Sequence, residues 1–176
     1  MEVQIHDKTF KSFIPEENLR DRIGQLAKEI NACYKGEEIV LVAVLNGSFM
    51  FASDLIKKLE GKVQISFVKL SSYSGTKSIG QVNELIGLNE DIEGKQVIVL
   101  EDIVDTGLTI EKLLILLNQK NPKSIEVCTL LFKPDAFKGR ENPRFIGFEI
   151  ENKFVVGYGL DYNELGRNLN SIYQLK

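Results

Sequence analysis

Residues 96–109, QVIVLEDIVDTGLT, constrain this chain more than any other stretch, because an unbroken apolar run stops abruptly at two adjacent acids, a third acid and a glycine. Residues 96–100 are β-rich and short enough for a strand buried on both faces, and residues 108–117 are apolar at helical spacing. Residues 101–107 are therefore expected to turn the chain from strand to helix. Ligands of open parallel sheets bind at that end of a strand. Glu101 and Asp102 can face a hydrated metal or a pair of sugar hydroxyls, and Asp105 is placed to exchange a proton. Thr106, Gly107, Leu108 and Thr109 present backbone N–H groups and two hydroxyls at a helix N-terminus, where orphan donors and the macrodipole favour a phosphate.

A second strand, glycine turn and helix unit precedes this one. Residues 39–45 are fully apolar, Asn46-Gly47-Ser48 makes the turn, and Phe49, Phe51, Ala52, Leu55, Ile56 and Leu59 follow at helical positions, with Ser48 as a candidate cap. Residues 3–13 alternate loosely as an extended segment. Pro15 then opens a helix with Leu19, Ile23, Leu26, Ile30 and Tyr34 as its apolar stripe, ended by Gly36. Residues 63–70 and 124–132 read as further strands, and residues 82–88 as the partner of the first of these. Between residues 70 and 82 lies a polar segment rich in serine and glycine, of the kind that serves as a lid.

The 176 residues, 43% of them hydrophobic, suffice for one soluble domain with a single core, and no linker or repeat divides them. With 22 basic residues against 25 acids and no basic run, general nucleic-acid binding is not expected. No apolar run reaches the ~18 residues a membrane span needs, and the charged start is unlike a signal peptide, so a cytoplasmic location is expected. Cys33 and Cys128 lack metal or redox spacing and are expected to be reduced, buried fillers. His6, the single histidine, stands apart from any nucleophile and is expected at the surface, which argues against histidine-dependent hydrolysis.

The run of apolar strand, two acids, two apolar residues and Asp-Thr-Gly-x-Thr resembles the phosphoribosyl pyrophosphate motif of type I phosphoribosyltransferases. LNGSFMFASDL resembles the pyrophosphate loop of the hypoxanthine-guanine branch, and FVVGYGLDYNE resembles its base-binding tail. The resemblance implies an α/β fold with a mainly parallel twisted sheet flanked by helices, and a small hood from the N-terminal segment and parts of the tail. It implies transfer of a phosphoribosyl group to hypoxanthine or guanine, giving a nucleoside monophosphate and pyrophosphate, with Mg²⁺ as cofactor; a homo-oligomer, dimer or tetramer, is expected because symmetric assembly is common.

The residue roles come with the same resemblance. Glu101 and Asp102 would serve the ribose hydroxyls and Mg²⁺, the loop from Asp105 through Thr106, Gly107 and Leu108 to Thr109 the 5′-phosphate, and Asp105 the proton on the purine. Lys133 would read the exocyclic oxygen of a 6-oxopurine, Phe154 would stack on the base, the Val155 backbone would bond its edge, and Asp161 would approach a second Mg²⁺. Asn46, Gly47 and Arg167 would meet pyrophosphate, with a cis peptide at Leu45–Asn46, and Ser72-Tyr73 would belong to the closing loop. Asn46 departs from the family, which commonly has lysine there. A regulatory nucleotide sensor on the same fold is the rival reading, disfavoured by the base-reading set Lys133, Phe154 and Asp161 and by the lack of an added DNA-binding domain.

Overall fold

In β3 (Glu38–Val44), Ile39, Leu41 and Ala43 enter one apolar cluster while Val40, Val42 and Val44 enter another. Strand β6 (Gln96–Val104) repeats the division, with Ile98 and Leu100 on the first side and Val97 and Val99 on the second. Strands apolar on both faces need cover on both. Helices α1 (Glu16–Cys33) and α2 (Phe49–Ile56) supply it on one side, and α3 (Leu108–Asn118) on the other. This computed structural model describes residues 1–70, 85–88 and 90–176. Ser72 and Tyr73 lie outside the described residues.

The main sheet has the order β5-β4-β3-β6-β7-β8, completed by β4 (Lys62–Leu70), β5 (Leu85–Ile86), β7 (Ser124–Phe132) and β8 (Phe145–Glu149). All neighbours run parallel except β4 and β5. From β3 the chain moves outward to β4 and β5, then returns to the other side of β3 as β6 and builds outward through β7 and β8. The winding thus reverses between β3 and β6, and a crevice opens at their carboxyl ends.

Strand β6 does not stop at Leu100 as its sequence suggests. Pairing with β3 ends at Leu100, but pairing with β7 continues through Glu101, Ile103 and Val104. Glu101 and Asp102 therefore belong to a strand, not to the turn, and their backbone is held by a ladder.

A second sheet, antiparallel and ordered β1-β2-β10-β9, joins β1 (Glu2–Ile5) and β2 (Lys8–Ile14) to β10 (Ile172–Leu175) and β9 (Val155–Val156). Its small core is Ile5, Phe10, Val156 and Tyr173. The expected single extended segment is a hairpin that turns at His6 and Asp7, with His6 at φ 52°. The stripe of α1 is buried as expected, and Gly36 follows it at φ 80°. Of the two cysteines expected inside, Cys33 is exposed at the end of α1 and Cys128 is buried; Phe49 is 41% exposed at the start of α2.

Candidate active site

Loop 45–48 leaves β3 through a cis Leu45–Asn46 peptide and meets the end of β6 at the point where the winding reverses. A Cβ at Gly47 would stand 1.5 Å from Asp102 Oδ2, so glycine alone admits this approach. The far side of the same loop is covered by the tail. A Cβ at Gly159, which has φ 100°, would stand 2.0 Å from the Gly47 carbonyl oxygen. Ser48 does not cap α2; its buried hydroxyl donates to the Val44 carbonyl at 2.6 Å.

The acids at this junction are poorly compensated. Glu101 is 7% exposed, and its Oε2 is buried without a hydrogen-bond partner. Burial first, and then the charge of Asp102, push its carboxyl well above the ordinary range. Burial likewise raises Asp102 to about 6, against the pull of backbone N–H bonds and Arg167, with Asp161 pushing further up. Asp161 Oδ1 pairs with Arg167 Nη2 at 2.7 Å, and its Oδ2 accepts the Glu164 N–H at 2.7 Å. Arg167 Nη1 donates to the Gly159 carbonyl at 2.8 Å. Gly47, Asp102, Asp161 and Arg167 are thus gathered at one junction. Among the described residues no group of three or more His, Cys, Asp and Glu side chains is arranged to hold a metal ion, and Asp161 is engaged by Arg167. The orphaned oxygen of Glu101 suits a hydroxyl donor or a hard cation that brings its other ligands along.

Asp105 to Gly107 lead into α3, whose N-cap is Gly107 at φ 84° with no side-chain cap bond. Thr106, Leu108 and Thr109 are exposed around this helix start. It is braced from behind by residues that the sequence does not flag: the Phe137 ring lies 2.5 Å from where a Gly107 Cβ would be, and the Lys138 N–H donates to the Thr106 carbonyl at 3.1 Å. Lys133, 7% exposed at the end of β7, sets its Nζ 2.9 Å from Asp105 Oδ2 and 3.4 Å from Asn152 Oδ1.

The half-exposed ring of Phe154 packs edge-on to Tyr162, with centroids 5.9 Å apart, and leans on Phe10 at 6.2 Å. The N-terminal hairpin steadies Tyr162, whose hydroxyl donates to Asp7 at 2.8 Å while Lys8 Nζ lies 4.7 Å over its ring. Val155 sits on β9, the outer strand of the second sheet. Asn46 lies in the cis-peptide loop beside Gly47.

Residues 14–163 match the family described as the phosphoribosyl transferase domain. This chain is a member of that family. Over 175 residues it is 42% identical to a hypoxanthine-guanine phosphoribosyltransferase of Aquifex aeolicus, covering 98% of each chain. It is 42% identical over 164 residues to a hypoxanthine phosphoribosyltransferase of Escherichia coli, covering 92% of each. A crystal structure of a hypoxanthine-guanine phosphoribosyltransferase from Bacillus anthracis superposes with a TM-score of 0.85 at 41% identity, over 94% of this chain and 97% of that one. The phosphoribosyltransferase reading fits the parallel sheet and the strand-borne acids at its reversal point.

The titration of Asp102 gives a stability signature for the ligand-free phosphoribosyltransferase. Its carboxyl sits at about 6 against an ordinary 3.8, so the bound proton stabilises the fold fully below the ordinary value, and that contribution is lost as pH rises through about 6. Asp102→Asn is expected to raise Tm relative to the parent at about pH 8, with the gain gone by about pH 4. Thermal scans at both pH values check this, and equal gains at both would contradict it.

Proposed function

We propose that this phosphoribosyltransferase joins hypoxanthine or guanine to the ribosyl group of phosphoribosyl pyrophosphate, giving the nucleoside monophosphate and releasing pyrophosphate. The observation that carries the reading is the buried Lys133 ammonium 2.9 Å from the Asp105 carboxylate. A 6-oxopurine carries an acceptor oxygen and N7 side by side, so a paired cation and carboxylate match its edge. The names of the Aquifex and Bacillus relatives support the same substrates.

In this reading Lys133 donates to the exocyclic oxygen, Phe154 stacks on the base and the Val155 backbone bonds its edge. As N9 bonds the anomeric carbon and the carbon–oxygen bond to pyrophosphate breaks, Asp105 accepts the proton leaving N7. The loop from Asp105 to Thr109 holds the 5′-phosphate through backbone N–H groups and the dipole of α3. Glu101 and Asp102 accept the ribose hydroxyls, which gives the orphaned Glu101 oxygen a partner. Asn46, Gly47 and Arg167 receive pyrophosphate. Mg²⁺ bound with the substrate would neutralise charge growing on the leaving group, and Glu101 and Asp102, with Asp161 nearby, would order its water shell. Ser72-Tyr73 would belong to the segment that excludes water from the reacting sugar.

The sheet joining β1, β2, β9 and β10 would act as a hood over the base. No helix among the described residues is long and apolar enough to cross a membrane, which is compatible with a cytoplasmic salvage enzyme. Half-exposed Phe49 and Phe67 offer apolar surface for a dimer or tetramer of this chain.

Turnover assays with each purine, phosphoribosyl pyrophosphate and Mg²⁺ test the reading. Product is expected with hypoxanthine and guanine and not with adenine, which offers no 6-oxo group to Lys133. Lys133→Ala is expected to weaken purine and nucleotide binding far more than phosphoribosyl pyrophosphate binding; equal losses would contradict its placement against the base. Asn46→Lys adds an ammonium beside pyrophosphate and is expected to tighten pyrophosphate binding by ~1 kcal/mol, less as salt rises. Titration calorimetry at two ionic strengths checks it, and an unchanged affinity would remove residue 46 from the pyrophosphate site.

A further inference from the structure

We propose that Asp54 and Tyr158 are positioning residues for pyrophosphate: their hydrogen bond braces the tail turn against loop 45–48 from behind, without touching the ligand. The inference rests on the functional reading above. Tyr158 is 4% exposed, stands between two glycines, and has φ 51°, a conformation that residues with side chains rarely adopt. Its hydroxyl donates to Asp54 Oδ2 at 2.5 Å, and Asp54 lies on α2, the helix that leaves the pyrophosphate loop. Burial alone would push the Asp54 carboxyl up, but bonds from Lys57 and Tyr158 outweigh it and hold the group below its ordinary value. A carboxylate accepting from a phenol that burial keeps protonated is a charge-assisted bond.

Beyond Tyr158 the chain closes a ring of contacts. The Tyr158 N–H donates to the Leu169 carbonyl at 2.8 Å, and the Gly159 N–H to the Arg167 carbonyl at 3.0 Å. The Gly159 carbonyl accepts from Arg167 Nη1, while its Cα faces the Gly47 oxygen too closely for any side chain. Gly159 must lack a side chain to meet the Gly47 oxygen, and Gly47 must lack one to meet Asp102, so neither can anchor the contact through a side chain. The anchor falls to the neighbouring Tyr158 and, through Asp54, to the helix that begins beside Gly47. Loop and arginine, the two proposed pyrophosphate contacts, are thereby fixed relative to each other. A cavity of about 460 Å³ lined by Asp54, Lys57, Tyr158 and Asn170 adjoins the bond, which gives the turn room to shift once the bond is lost.

Calorimetric titration of inorganic pyrophosphate with Mg²⁺, and separately of IMP, on the parent chain, Tyr158→Phe, Asp54→Ala and Asp54→Asn tests the brace. Tyr158→Phe keeps the buried ring and Asp54→Asn keeps an acceptor oxygen, so folding is preserved in at least these two. Tyr158→Phe and Asp54→Ala are expected to lose roughly tenfold in pyrophosphate affinity with IMP affinity nearly unchanged, and a chain carrying both Tyr158→Phe and Asp54→Ala, titrated alongside, to lose no more than either single. Asp54→Asn is expected to recover most of the loss. In steady state, KM for phosphoribosyl pyrophosphate rises while KM for the purine does not. Unchanged pyrophosphate affinity in Tyr158→Phe, or equal weakening of both ligands, would overturn the brace while leaving the functional reading standing. A parent chain that binds neither pyrophosphate nor IMP would overturn both.

Discussion

The approach of the β3 loop to the end of β6, close enough that a methyl group on Gly47 would collide with Asp102, is the constraint on which the rest of the site depends. It occurs where the sheet reverses its winding, so two chain segments that leave neighbouring strands must share the crevice. The tail then closes over the loop through Gly159, and Arg167 and Asp161 arrive with it. The loop backbone at Gly47 rests against the Asp102 side chain on one side and against the Gly159 backbone on the other, so a loop, a strand end and a distant turn are held together at this one residue.

That geometry has an electrostatic consequence. Glu101 and Asp102 sit side by side on a strand, both raised by burial, with one arginine nearby that is already shared with Asp161. A buried and a half-buried carboxyl with so little compensation oppose folding whenever they ionise. Such groups cluster where a ligand is to provide the missing partner, and a sugar with two hydroxyls and a phosphate-bound cation would provide it. Just past the ends of β6 and β7, Asp105 and Lys133 compensate each other in the free chain, so a base would have to part them by offering each its own partner.

Much of this was legible in the sequence where the signal is local. The two-sided apolar strands, the acids that follow them, the glycine turns and the stripe of α1 all follow from short-range pattern. The extent of β6 was not, because its last residues are held only by β7. The hairpin at His6 and Asp7 is not legible in the sequence because the pair lacks the glycine that most strongly marks a two-residue turn. Strand β8, interrupted by Gly147, carries a weak pattern; that glycine is needed because a Cβ there would lie 2.3 Å from the Leu130 carbonyl oxygen. The bond between Asp54 and Tyr158 joins residues 104 apart in sequence, and no local signal could announce it. Phe137 behind Gly107 and the Asp7 support of Tyr162 are hidden for the same reason.

The central claim is that burial at the end of β6 holds its carboxyls above the ordinary range until a ligand compensates them. Calorimetric titration of phosphoribosyl pyrophosphate with Mg²⁺ near pH 6, in buffers of different ionisation heat, counts the protons released on binding. Phosphates and Glu101 are present in both the parent and Asp102→Asn, so the difference between the two isolates the contribution of Asp102. The account predicts greater proton release from the parent than from the variant. Equal release from both would contradict it.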